Sequence, residues 1–171
     1  MRKLKKWAPV VLIALVLASC DLNSIDTNDY TEYEPVFYVR ENMNASVVLH
    51  APKPIMETGK IYIYQDYLFV NVPGKGVHII NNADPTNPTP EGYLQIPGNF
   101  DLAIKDGYLF ADNATDLISL RLPINGGTFN LEKRIENVFD EPAPPDGLPV
   151  PKRTLENRPK NSVIVAWQKK S

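Results

Sequence analysis

Apolar and polar residues alternate in short runs along most of this chain, and the one long apolar stretch lies at the amino end. From Trp7 to Ala18 nearly every residue is apolar. As a helix, about twelve residues rise about 18 Å, short of a hydrocarbon core of about 30 Å. Pro9 interrupts the run, and every later apolar run is broken by a charge, Pro or Gly. The stretch therefore reads as a signal sequence rather than a transmembrane anchor. Residues 21–35 are polar, acidic and without period, as expected of a flexible tether. Val36–Val39 predicts a first strand, residues 41–47 one helical turn, and Ser46–Leu49 a strand after which His50 falls in a loop. From residue 59 strand follows strand: Lys60–Tyr64, Tyr67–Val70, Gly76–Ile80 and Gly92–Ile96, each bounded by turn residues. The proline run Asp84–Pro90 is expected outside any sheet, with Asp84 bonding its own backbone to start a turn. Residues 138–161 are proline-rich and predict a stiff extended linker. Ser162–Trp167 predicts a last strand.

The strands repeat. Ile63, Tyr67 and Phe69 recur 41 residues later as Ile104, Tyr108 and Phe110, and the same offset carries Val77 onto Ile118 and Ile79 onto Leu120. A period near 41 holding about four short strands is the size of one propeller blade. A blade cannot bury both faces alone, so blades stack around an axis. The fold class expected is all-β: a partial β-propeller of about two four-stranded blades, preceded by a signal peptide and a flexible tether.

Charge and cysteine content sharpen the amino end. Arg2, Lys3, Lys5 and Lys6 precede the apolar run, and Leu17-Ala18-Ser19 leads into Cys20, the only cysteine. A basic start, a short apolar centre and small residues at its end make a secretory signal peptide. Removing residues 1–19, with four cations and no acids, takes the formal net charge from -2 to -6. A mildly acidic mature chain argues against a nucleic-acid partner. With Cys20 consumed, no thiol remains for a disulfide, a metal or nucleophilic catalysis.

Small residues before a cysteine resemble a bacterial lipoprotein signal, in which the thiol is acylated and the cysteine becomes the mature amino terminus. That resemblance implies lipidation at Cys20. The stretch Gly76–Pro88, an apolar strand followed by Asp84-Pro85-Thr86-Asn87-Pro88, resembles the LVIVD repeat, although Asn81 or Asn82 stands where that family has Asp. Ile96–Ile104 and Asp106–Asp112 are similar to it as well, and Leu122–Gly127 replaces the second D-x-x-N-P turn. The layout resembles LVIVD-repeat lipoproteins of Bacteroidota type. It implies a lipoprotein signal peptide at 1–19, an acidic tether at 20–35, propeller blades at 36–137, a linker at 138–161 and the start of a further strand or blade at 162–171. On this reading the chain is the amino-terminal portion of a longer propeller. Residues 140–160 are then expected to lie loosely and Val163–Trp167 to lack strand partners. Asp21 alone would suggest inner-membrane retention. Together with Asp26 and Asp29 and the family resemblance, it favours the outer membrane.

Candidate chemistry is sparse. His78 sits mid-strand facing opposite to Val77 and Ile79, and reads as a structural histidine. No His-Glu-x-x-His or paired cysteine supports zinc, and no Gly-x-Ser-x-Gly supports acyl transfer. Gly74-Lys75-Gly76 reads as a hairpin turn. Asp112, Asn113 and Asp116 offer three oxygen side chains, the kind of cluster calcium takes, but they align with the turn of the first repeat. Asn44-Ala45-Ser46 and Asn113-Ala114-Thr115 match the glycosylation sequon, which a bacterial lipoprotein would not use. No catalytic, metal or cofactor residue is singled out. The leading expectation is a lipid-anchored envelope protein that binds a protein or glycan. A propeller-based hydrolase or lyase comes second and a truncated, non-functional fragment third. Partners expected are the membrane through Cys20, a protein or glycan ligand, no nucleic acid, and further copies of the chain, because two blades leave apolar faces open.

Overall fold

Runs rich in Ile, Val, Tyr and Phe form strands here, because branched and aromatic side chains fit a pleated, half-buried surface. The computed structural model describes residues 30–123 and 128–171; the stretch expected to be a signal peptide, 1–19, and Cys20 lie outside the described residues. Three antiparallel sheets contain the strands. The first has five strands in the order β2 (Val48–His50), β6 (Thr89–Gln95), β5 (Gly76–Asn81), β4 (Tyr67–Val72), β3 (Ile61–Tyr64). The second has four: β10 (Asn130–Ile135), β9 (Asp116–Arg121), β8 (Tyr108–Asn113), β7 (Leu102–Lys105). The third is a ribbon of β1 (Tyr33–Val39) and β11 (Ser162–Lys169). The all-β expectation holds at this level, and among the described residues no sheet closes into a barrel.

The repeat is visible residue by residue. β3 and β7 have the same bounds at an offset of 41, and so do β4 and β8. Gln65 and Asp106, in the turns that follow β3 and β7, both sit at φ 52°. The ring centroids of Tyr67 and Phe69 are 6.4 Å apart, and so are those of Tyr108 and Phe110. The offset then changes. Pro73, Gly74 and Lys75 separate the paired Val72 and Gly76, whereas only Ala114 and Thr115 separate Asn113 and Asp116. Val70 therefore pairs with His78, while its equivalent Ala111 pairs with Ile118. In the third strand the offset is 40, so Val77 corresponds to Leu117 and Ile79 to Ser119, correcting the sequence alignment. The connection into the fourth strand restores 41, with eight residues between Arg121 and Asn130 against seven between Asn81 and Thr89, and both fourth strands carry a bulge at the same place. Glu91 is the extra residue between Gly92 and Pro90, and Glu132 the extra residue between Lys133 and Leu131.

The main core lies between the first two sheets. Directly opposed residues share a face, so Phe69 and Ile79 project together, as do Val77 and Leu94. These meet Leu102, Leu109, Ala111, Ile118 and Leu120 of the four-stranded sheet. Gly76 is required where its strand crosses β6: a Cβ there would lie 2.2 Å from the Leu94 carbonyl oxygen.

Several expectations change. The first sheet has a fifth strand, β2, which pairs Val48–His50 with Tyr93–Gln95, so His50 is a strand residue. Pro90 lies inside β6 opposite Ile80. It is tolerated beside the bulge, where β6 has no partner on its other side. The helical turn reduces to a 3-10 turn at Arg40–Asn42. Tyr33–Pro35, read as tether, belong to β1. Val163–Trp167 do have partners: β11 pairs with β1 from Tyr33↔Lys169 to Val39↔Ser162. Residues 140–160 are pinned rather than loose. Glu141 accepts bonds from Arg158 and from the Ile164 amide, and Trp167 Nε1 donates to the Pro142 carbonyl at 2.8 Å. Within that stretch Lys152–Glu156 form a short helix. Met43, Val163 and Val165 form a second small core with Ala114, which seats the ribbon on the β8–β9 turn.

Candidate functional site

The two main sheets are closed at one end by a buried hydrogen-bond network and border a cleft at the other. At the closed end, Asn99 on the β6–β7 connection bridges them. Its Oδ1 accepts from Asn71 Nδ2 at 2.6 Å, and its Nδ2 donates to Asp112 Oδ1 at 2.7 Å. Asp112 also accepts the amides of Phe100 and Asp101. Burial pushes the Asp112 carboxyl above its ordinary value, partly offset by those bonds. Asp101 beside it accepts from Lys60 and Tyr62, which hold its carboxyl down.

At the other end, the β3–β4 and β7–β8 turns border a cleft of about 590 Å³, within the range of small-ligand sites. Phe69 and Ile79 line it, together with Tyr64, Tyr67, Tyr108 and Phe129. Gly92 and Leu49 form part of the wall, and a Cβ on Gly92 would stand 3.0 Å from Leu49 Cδ1. The polar contribution comes from Gln65, Glu91, Asp106 and Arg121. Several of these groups are fixed by neighbours. The Gly107 amide donates to Tyr64 Oη at 3.1 Å, and Asn81 Nδ2 donates to Glu91 Oε1 at 2.9 Å. The Arg121 guanidinium lies 5.1 Å from the Tyr108 ring centroid, and its Nη2 donates to Tyr108 Oη at 2.6 Å. Arg121 Nε also lies 3.4 Å from Glu132 Oε1, on the bulge residue of β10. Among the described residues the lining holds no histidine, serine or cysteine, and its carboxylates are Glu91 and Asp106. It offers aromatic surface for stacking and donors and acceptors of both signs.

The residues singled out in the sequence lie elsewhere. Asp116 is 1% exposed and lies between two arginines. Arg40 Nη1 donates to it at 3.0 Å and Arg134 Nη1 at 2.7 Å. Burial pushes its carboxyl up, but Arg40, the Asn137 amide, Arg134 and Thr115 outweigh this and hold it below its ordinary value. Asn113 donates to the Pro97 carbonyl and accepts from Arg134 Nη2. The three oxygens that suggested calcium are thus engaged in protein hydrogen bonds. Among the described residues, no group of three His, Cys, Asp or Glu is placed to hold a metal. His78 is buried with its ring centroid 4.9 Å from that of Tyr93, on the face opposite to Val77 and Ile79. Burial, then the Lys53 ammonium, push its pKa down. His50 is at the outer edge, in β2.

Sequence reasoning missed the cleft. Tyr64, Tyr67 and Tyr108 read as strand positions, because each lies in an alternating run. The available signal was the recurrence of Tyr at both ends of one turn and at the matching place in the next. Among the described residues no helix is long and apolar enough to cross a membrane. No protein-family model, no curated protein and no solved structure matches the chain.

Proposed function

We propose that this is a lipid-anchored cell-envelope protein, acylated at Cys20, whose two main sheets are successive blades of a β-propeller and whose inter-sheet cleft binds a segment of glycan or protein. The observation that carries the binding role is the cleft itself. Three tyrosines and a phenylalanine surround an apolar floor, with Glu91, Asp106 and Arg121 at hand for orientation. Aromatic side chains give large contact area at low entropic cost, and the few polar groups select the pose. The blade reading is supported by the head-to-tail stacking of two sheets whose first hairpin turns match, whose fourth strands carry matching bulges and whose first, second and fourth strands share an offset of 41. The anchor reading rests on the Leu17–Cys20 junction and, with the resemblance to LVIVD-repeat lipoproteins, favours the outer membrane.

Glu91 and Arg121 are exposed, so changing them leaves the core intact. The full chain in mild detergent, immobilised and probed with a glycan array and a displayed-peptide library, tests the cleft. Wild type is expected to retain members of one class, and Glu91→Ala with Arg121→Ala to lose them while melting as wild type does. No retention in either class, or retention indifferent to both substitutions, contradicts the reading.

A further inference from the structure

Both halves of the interface between the two main sheets occur a second time on the outer faces of the stack, where they are half-buried or exposed rather than packed against a neighbouring sheet. On the inner face of the four-stranded sheet, Leu102, Leu109 and Leu120 are at most 4% exposed. Their repeat equivalents on the outer face of the five-stranded sheet are Ile61, Leu68 and Ile80. Ile61 is 61% exposed, and Ile63 beside it is 75% exposed. The other half behaves in the same way. Phe69, Val77 and Leu94 are buried on the inner face of the five-stranded sheet. Their equivalents on the outer face of the four-stranded sheet are Phe110, Leu117 and Ile135, and Ile135 is 45% exposed. Leu117 pairs with Ile135 as Val77 pairs with Leu94.

One end of the molecule thus carries a copy of the surface that the other end is shaped to receive. We propose that a second copy of this chain docks head to tail, the outer face of its four-stranded sheet on the outer face of the five-stranded sheet. The internal interface is the template for the external one, so the contact is heterologous and propagates until it closes into a ring. Lys53 Nζ lies 4.4 Å from the Tyr93 ring centroid and covers the β6 side of the receiving face. The contact therefore centres on β3, where Ile61 and Ile63 are open. Exposed apolar surface of this kind marks an interaction site rather than an ordinary solvated face.

Sedimentation of the full chain in mild non-ionic detergent tests this, with Ile63→Glu and Ile135→Glu as variants. Both positions are exposed, so each substitution spoils one face and leaves the fold and the opposite face intact. Wild type is expected to sediment as two or more copies. Each variant alone is expected to associate about tenfold more weakly or worse and to run as a monomer. An equimolar mixture of the two variants, which still owns one good face of each kind, is expected to form dimers and stop there. A monomeric wild type, association that survives either substitution, or a mixture that stays monomeric would each overturn the proposal.

Discussion

At the residue scale, two buried polar groups have consequences that can be measured. Asp116 lies between Arg40 and Arg134, whose side chains are 17% and 11% exposed. Removing the carboxylate leaves two partly buried cations facing each other. Breaking such a pair from one side costs about 3–5 kcal/mol, so Asp116→Ala is expected to lose that much in a urea melt. His78 has its pKa depressed by burial, so the folded chain disfavours its charged form. Above about pH 6.5 both states hold it neutral and nothing is lost; as pH falls below that, the unfolded chain takes up the proton first and stability drops. The melting temperature should therefore fall between about pH 7 and pH 5, and His78→Asn should flatten that decline. An equally steep decline in the variant would assign it to other groups. His78 was legible as structural because it sits between Val77 and Ile79. The partners of Asp116 were not, because Arg40 lies 76 residues away in sequence, and nothing in the local pattern of Asp112–Asp116 points to it.

At the element scale, the repeat was legible because Ile63, Tyr67 and Phe69 keep their spacing at Ile104, Tyr108 and Phe110. The one-residue shortening of the second hairpin was not. Val77 onto Ile118 and Ile79 onto Leu120 look equally apolar, so side-chain type alone could not show that the register had slipped to Leu117 and Ser119. The slip is a consequence of turn length, and one extra residue in the connection from β9 to β10 brings the fourth strand back into line. Equivalent places also differ in burial: Phe69 is 3% exposed and packed in the core, whereas Phe110 is only half-buried. Phe69→Ala is expected to cost about 3–5 kcal/mol, and Phe110→Ala about 1 kcal/mol, read from urea melts at concentrations where the chain is monomeric. Equal losses would mean that the outer face of the four-stranded sheet is covered within one chain.

At the scale of the whole molecule, the ends of the described chain meet. The β1–β11 ribbon joins Tyr33 to Lys169 and is tied further by Thr31, which donates to Asp146 at 2.9 Å and from its amide to the Pro149 carbonyl at 3.1 Å. No local pattern could reveal this pairing, since each strand alone reads as a short apolar run in search of a neighbour. In the proposed account the ribbon stands between the tether and the sheets, so the cleft is presented on a body fixed close to the lipid. That account depends on Cys20 more than on any other residue, because location outside the cytoplasm, membrane attachment and access to envelope ligands all follow from it. Mass spectrometry of the protein isolated from cell envelopes, read at its amino-terminal peptide, is the most direct measurement. The account predicts a mature chain beginning at Cys20, carrying a diacylglycerol thioether and partitioning into detergent, with Cys20→Ala accumulating as a precursor that keeps residues 1–19. A soluble mature chain that begins elsewhere, or a Cys20→Ala protein processed like wild type, would contradict it.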